Sequence, residues 1–216
     1  MVGVIVITTG GTIGALPYED PQHPPQFSSM PPDGRDLVRD ALATTFSSFN
    51  ARCISLEPRD SKLIDECYRR NVLAIVESAA ENAVIITHGT DTILKTADFF
   101  HQQFLHNPSL KKKTIILTGS MTPISNGAGS DGYLNLGFSL SCLVNLAPGM
   151  EKTNIVLCDF AKDSWQPRLY PHSPNRYEKF YDSDGRYHRL CKVPANGPLS
   201  PTAKRAPISK REALVM

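Results

Sequence analysis

Apolar positions along the chain fall into two alternating rhythms. Short runs rich in β-branched residues recur at residues 2–8 (VGVIVIT), 83–87 (AVIIT), 114–118 (TIILT) and 154–158 (NIVLC). Each reads as a strand buried on both faces. Residues 52–56 alternate weakly and read as a further strand. Between these runs the spacing turns helical. Residues 33–49 put Leu37, Val38, Ala41 and Leu42 on one stripe, with Asp33 placed as the N-cap. The longest helical pattern covers residues 61–81, through Leu63, Ile64, Cys67, Val72, Ile75, Val76 and Ala79. Residues 93–105 and 133–146 complete the set. Strands that alternate with helices predict one parallel sheet covered on both faces. The expected fold class is therefore α/β: a three-layer parallel sheet flanked by helices, Rossmann-like/flavodoxin-like, in a single domain.

After Asp159 the periodicity is lost. Residues 177–181 and 187–193 are spaced to pair as a hairpin through Asp184-Gly185, a favoured turn dipeptide. Residues 194–216 contain Pro, Ser, Lys and Arg but almost nothing apolar enough for a core, so a disordered tail is expected there, with 1–193 as the folded domain. Its basic pairs, Lys204-Arg205 and Lys210-Arg211, read as a solvated tail. Of the 17 prolines, six fall between Pro17 and Pro32, which marks residues 15–33 as a Pro-rich loop.

Composition narrows the function classes. The chain has 216 residues, 41% hydrophobic and 20% charged, enough apolar material for a core without metals or disulfides. With 23 basic against 21 acidic residues the net charge is +2, which gives no support for a phosphate-backbone binder, and no nucleic-acid partner is expected. No stretch approaches the ~20 apolar residues of a membrane span. Residues 2–7 are too short for a signal-peptide core and lack a basic flank, so no membrane association is expected. Five cysteines (Cys53, Cys67, Cys142, Cys158 and Cys191) are an odd number without a C-x-x-C pair. That pattern suggests neither a disulfide framework nor a zinc site; free thiols in a reducing, cytoplasmic compartment are expected.

Three of the five strands run into polar, Gly-rich loops, and parallel sheets bind ligands outside the carboxyl ends of their strands. In Thr9-Gly10-Gly11-Thr12 the paired glycines let the backbone turn sharply and expose its amides, and Thr12 would lift its hydroxyl into the crevice beside them. A hydroxyl nucleophile attacking a carbonyl needs such donors. A plain Gly-Gly turn or a phosphate cradle fits the same residues, although Gly10, Gly11 and Gly14 do not match a G-x-G-x-x-G fingerprint. His88-Gly89-Thr90-Asp91-Thr92 follows another buried strand and should face the same crevice. There Asp91 suits an ammonium group or a helix cap, and Thr90 offers a second hydroxyl for attack or for holding a water. His88, at a strand end, reads first as a hydrogen-bonded structural residue. Neither G-x-S-x-G nor H-E-x-x-H occurs.

Taken together, these segments resemble bacterial-type L-asparaginases. Thr9-Gly10-Gly11-Thr12-Ile13 is similar to the family's first signature and His88-Gly89-Thr90-Asp91-Thr92 to its second, with Asp60-Ser61 as a shorter third element. Thr118-Gly119-Ser120-Met121-Thr122-Pro123, followed by Ser130-Asp131-Gly132 and Asn135-Leu136, resembles the family's T-G-A-M-x-P … A-D-G-x-x-N-L segment. The resemblance covers roughly residues 2 to 160, in the family's order. It implies hydrolysis of L-asparagine to L-aspartate and ammonia, L-glutamine being the other candidate. Thr12 would be the primary nucleophile, forming an acyl-enzyme, and Thr90 the second catalytic threonine. Asp91 would hold the α-ammonium, Asp60 and Ser61 the α-carboxylate, and Gly11 and Gly89 would border the substrate. Residues 15–33 fall where the family has its mobile lid, with Tyr18 as the lid tyrosine. The resemblance implies no cofactor and a homo-oligomer (dimer or tetramer), and it is closer to short, single-domain asparaginases than to the two-domain ones.

Departures accompany the match. The family lysine that supports Thr90 and Asp91 has no counterpart at the position counted from Arg168, which falls at His172 or Pro174. His172, Lys162 and Lys179 are the candidates to replace it, His172 with a side chain suited to proton transfer near neutral pH. Pro24-Pro25 and Pro31-Pro32 stiffen the lid segment. Two further functions stay open: an amino-acid-binding or regulatory module with weak chemistry, favoured by the missing lysine, and a subunit supplying ammonia to a partner.

Overall fold

Local chemistry sets the boundaries of the elements. In the computed structural model, which describes residues 3–18, 26–28, 36–145, 150–161, 164–174, 177–181 and 187–192, the elements run in the order β1 (Val4–Thr8), β2 (Leu16–Tyr18), β3 (Gln26–Ser28), α1 (Leu37–Ala43), β4 (Ala51–Ser55), α2 (Glu66–Ser78), β5 (Ala83–Thr87), α3 (Ile93–His106), β6 (Thr114–Thr118), α4 (Asp131–Val144), β7 (Thr153–Ala161), β8 (Ser164–Pro171), β9 (Tyr177–Tyr181) and β10 (Tyr187–Lys192). The N-cap of α1 is Asp36, whose carboxylate accepts from the amides of Val38 and Arg39; Asp33 lies outside the described residues. The helix expected from residue 61 begins instead at Glu66. A short 3₁₀ turn over Ser61–Leu63 precedes it, and Asp65 accepts from the Tyr68 amide at its start. Both carboxylates satisfy amides that a helix start leaves without partners.

The main sheet has the order β4-β1-β5-β6-β7-β8. The first five strands are parallel, in the sequence order 2-1-3-4-5 of flavodoxin-like sheets. Alternating strand residues feed two cores. Ile5, Ile7, Val84, Ile86, Ile115 and Leu117 pack with Val72 and Val76 of α2 and with Ala97 and Phe100 of α3. On the other face, Val4, Val6, Ile85, Ile116 and Val156 pack with Val38 and Leu42 of α1 and with Leu136, Leu140 and Leu143 of α4. Every residue of β1 and of β5 is buried, which explains their unbroken apolar composition. The three-layer α/β expectation holds.

A sixth strand lies beyond Asp159, where the sequence loses its periodicity. Strand β7 continues to Ala161, and β8 returns antiparallel to it, from Ser164 opposite Ala161 to Pro171 opposite Asn154. Pro167, Pro171 and the polar Ser164, Gln166 and Arg168 hide this strand from an apolar-alternation reading. An edge strand tolerates them, because half of its ladder is unused. The expected hairpin is present as β9 and β10, antiparallel, with a register shift between Tyr187 and Arg189. Its expected turn, Asp184-Gly185, and the expected tail at 194–216 lie outside the described residues, as does most of the Pro-rich segment; what is described of the latter is the antiparallel pair β2–β3.

Candidate functional site

At the carboxyl end of the sheet a row of hydroxyl residues runs in register: Ser55, Thr8, Thr87 and Thr118 are consecutive partners across β4, β1, β5 and β6. Beyond this row the loops diverge. Connections leave β1 toward β4 on one side while β5 lies on the other, so the loops after β1, β4 and β5 open around a crevice at the point where strand order reverses. Gly11, Thr12, Asp60, Ser61, Gly89, Thr90, Asp91 and Met121 line one cleft of about 220 Å³ there. That is below the ~300 Å³ of sites for drug-sized ligands and suits something the size of an amino acid. Of the residues to which the resemblance gives a catalytic or substrate-binding role, Gly11, Thr12, Asp60, Ser61, Gly89, Thr90 and Asp91 line this cleft. Tyr18 ends β2, and its side chain lies outside what is described.

Close backbone approach holds the three loops together. Gly11 has φ 83° and ψ 172°, a conformation nearly confined to glycine, and a Cβ built there would stand 2.6 Å from the Gly89 amide nitrogen. Gly89 in turn packs on Ser61, whose Cβ and Oγ would lie 2.8 Å from a Cβ at 89. The loop after β4 is fastened from both sides: the Arg59 amide donates to the Thr9 carbonyl at 2.9 Å, and the Thr92 hydroxyl donates to the Ser61 carbonyl at 2.7 Å. Thr12 opens a 3₁₀ turn, Thr12–Gly14, directly after Gly11.

His88 is 1% exposed and structural, as its place in the sequence suggested. Its Nδ1 lies 2.8 Å from the Gly89 carbonyl oxygen, which only accepts, so Nδ1 carries the proton. Nε2 therefore accepts from the Thr96 hydroxyl at 2.8 Å, and Arg69 Nε donates to Thr96 at 3.0 Å. This tautomer is assigned from its partners. A chain from α2 through α3 thus fixes the carbonyl of Gly89, the residue on which Gly11 and Ser61 both rest. Asp131, at the start of α4 and 2% exposed, does the same for the loop after β6. It accepts from the amides of Met121 and Thr122, each at 2.7 Å, and from the Thr122 hydroxyl at 2.6 Å. Burial pushes its carboxyl up, and these donors work against the rise.

Two cleft features carried no signal strong enough to be singled out from sequence. Met121 faces Thr90, whose hydroxyl donates toward its sulfur at 3.9 Å; methionine lay inside a quoted motif but has no titratable group to attract notice. Lys62, next to Ser61, places its Nζ 3.0 Å from Asp91 Oδ2. No helical or strand periodicity brings residues 62 and 91 together; the two 3₁₀ turns that follow β4 and β5 do.

His172 does not join the site. Its amide donates to the carbonyl of Thr153, the first residue of β7, toward the opposite end of the sheet from the cleft. Its ring is 2% exposed, with Nε2 2.8 Å from Asp98 on α3. Seven residues of α3 and its leading turn lie between Thr90 and Asp98, so His172 braces β8 against α3 and does not reach the threonines. Lys162 and the side chain of Lys179 lie outside the described residues. Among the described residues, no helix is long and apolar enough to cross a membrane.

Comparison with known proteins bears on the family and the fold. Residues 3–159 match the family model for the N-terminal domain of asparaginase. Over 137 residues the chain is 31% identical to a glutaminase-asparaginase from Acinetobacter glutaminasificans, an alignment that covers 62% of this chain and 39% of that protein. The fold is similar to the crystal structure of L-asparaginase I from Vibrio cholerae, with a TM-score of 0.60 at 22% identity, over 93% of this chain and 56% of that one. The chain thus spans about half the length, or less, of these relatives.

Proposed function

The chain belongs to the asparaginase family, and from that premise we propose that it is an amidohydrolase that releases ammonia from L-asparagine through an acyl ester on Thr12. The observation that carries this reading is the convergence of Thr12, Thr90, Asp91 and Ser61 on one cleft at the strand-order reversal. In the proposed reaction the Thr12 hydroxyl oxygen bonds to the side-chain amide carbon. The C–N bond breaks, and ammonia leaves with the hydroxyl's proton. Water, held by Thr90, then attacks the ester; the carboxylate is released and a proton returns to Thr12. Amides of the Gly11–Thr12 turn face the developing oxyanion, which is where preorganised donors give most of their benefit. Asp91 takes the α-ammonium, and Ser61 with the Asp60 turn takes the α-carboxylate. By the family resemblance Tyr18 is the tyrosine that approaches the nucleophile and helps to exclude water; most of the segment 15–33 lies outside the described residues. The proposal includes a cytoplasmic homo-oligomer. Similarity to the Acinetobacter glutaminase-asparaginase supports L-glutamine as a second substrate.

One observation favours a second reading, a ligand-binding module with weak chemistry. The nearby Lys62 is paired with Asp91, and the side chain beside the Thr90 hydroxyl is Met121, whose thioether cannot take up a proton at neutral pH. Ammonia release from L-asparagine and L-glutamine by the purified protein, with Thr12→Ala as control, separates the two. Release that Thr12→Ala abolishes supports the hydrolase. Absence of release, together with a rise in melting temperature on adding asparagine, supports the binding module.

A further inference from the structure

The cleft presents two carboxylates to a ligand, Asp60 and Asp91, and one cation from the chain itself reaches the second of them: Lys62 Nζ stands 3.0 Å from Asp91 Oδ2. The backbone that carries Lys62 is tightly held. Its amide donates to Asp60 Oδ1 at 2.8 Å, and the preceding residue, Ser61, is pinned by Thr92 and by Gly89. The side chains of the pair are open to solvent, Lys62 at 69% and Asp91 at 48%. An ion pair that exposed is worth at most a few-fold in an equilibrium constant, so an incoming ammonium can displace it.

We propose that Lys62 is a specificity residue: by occupying the ammonium position on Asp91 it lets the cleft accept half-amides of dicarboxylic acids that carry no α-ammonium. This rests on the hydrolase reading of the same cleft. Charge accounting gives the reason. Without Lys62, a substrate that lacks the ammonium presses the Asp91 carboxylate against ligand with that compensation missing, and such a loss is discriminated against. With Lys62 in place the compensation comes from the chain. A substrate that does carry an ammonium displaces Lys62, and the freed amine is then one residue from Ser61, where the substrate's own carboxylate is received. Lys62 thus has a partner with either ligand class, and the site's preference for the α-amino compound is narrowed. The hydrolytic step is unchanged: water and the half-amide give the dicarboxylate and ammonia.

The test compares kcat/KM for L-asparagine and for succinamate, its analogue without the amino group, in the wild type, Lys62→Met and Lys62→Arg. The proposal expects the asparagine-to-succinamate ratio to rise about fivefold in Lys62→Met, through loss on succinamate, and to stay at the wild-type value in Lys62→Arg. Equal change on both substrates, or a larger loss on asparagine, overturns it, since a merely structural lysine would give that. Calorimetric binding of the two amides to the same three proteins keeps this outcome apart from failure of the hydrolase reading. If neither amide is turned over but Lys62→Met weakens succinamate binding selectively, the hydrolase reading fails and the role of Lys62 stands. If the wild type does not bind succinamate, the role of Lys62 is overturned whatever the turnover.

Discussion

Replacing Gly11 by alanine measures how tightly the loops after β1 and β5 are joined, and Gly127→Ala supplies the control. Both glycines lie in the same region of backbone space, Gly11 at φ 83°, ψ 172° and Gly127 at φ 77°, ψ −163°. A side chain there costs about 1–3 kcal/mol in strain at either position. Their surroundings differ. A Cβ at 127 has nothing within 4 Å, whereas a Cβ at 11 meets the Gly89 nitrogen at 2.6 Å and its Cα at 2.7 Å, well inside the 3.4 Å where ordinary contact begins. The atoms it meets are backbone, so no rotamer change relieves the overlap, and forcing the loops apart adds about 1–3 kcal/mol more. At about 2–4 °C per kcal/mol for a chain of this size, Gly11→Ala should melt about 2–12 °C below Gly127→Ala. Urea titration with an unchanged slope would assign the gap to the native state. Activity should separate the two further. Gly127→Ala keeps ammonia release, and Gly11→Ala loses it about a hundredfold or more, because Thr12 follows Gly11 directly and an ångström of displacement has that effect. Equal melting temperatures for the two variants would refute the close approach of Gly11 to Gly89.

Thr96→Val removes the donor to His88 Nε2 and the acceptor for Arg69, and should cost about 1–3 kcal/mol in denaturant titration; kcat/KM should fall with it, since Gly89 loses its support, while Thr96→Ser retains both. Phe100→Ala, at a side chain with 0% exposure between α3 and the sheet, should cost about 3–5 kcal/mol without altering substrate preference. The Arg52–Glu81 pair should shape the acid limb of the stability curve. The guanidinium at 2.8 Å holds the Glu81 carboxyl down at about 2, so the pair's contribution is present above the ordinary carboxylate range and is lost as pH falls from there toward 2. With the Arg52 side chain 51% exposed the contribution is about 1 kcal/mol or less, and Arg52→Ala should remove it at neutral pH while leaving stability near pH 2 unchanged.

Much of this arrangement was legible in the sequence because burial on both faces leaves a plain mark. Strands β1, β5 and β6 are short runs rich in β-branched residues, and the Gly-rich segments following them mark where chains approach closely. Thr12, Thr90 and Asp91 were readable as one crevice once those runs were placed in one parallel sheet, and Ser61 joined them only through the family resemblance. What escaped did so for physical reasons. Strand β8 sits at an edge, where Pro167 and Pro171 are tolerated and apolar alternation is not required. His172 fell near the position of the family lysine by counting, but β8 runs back antiparallel along β7 and carries it to the level of Thr153, at the end of the sheet away from the cleft. Counting along a chain has no means of sensing where a strand turns back. The Lys62–Asp91 contact was hidden because it depends on how two 3₁₀ turns from distant segments abut, which neither periodicity nor motif spacing encodes.

Hydrolysis through Thr12 requires a covalent ester in the cleft. Rapid acid quench during turnover of L-asparagine, followed by peptide mass analysis, detects that ester. The expected result is an aspartyl adduct on the peptide that contains Thr12, absent in Thr12→Ala, which also releases no ammonia. An adduct on the Thr90 peptide instead, or undiminished ammonia release by Thr12→Ala, would contradict it.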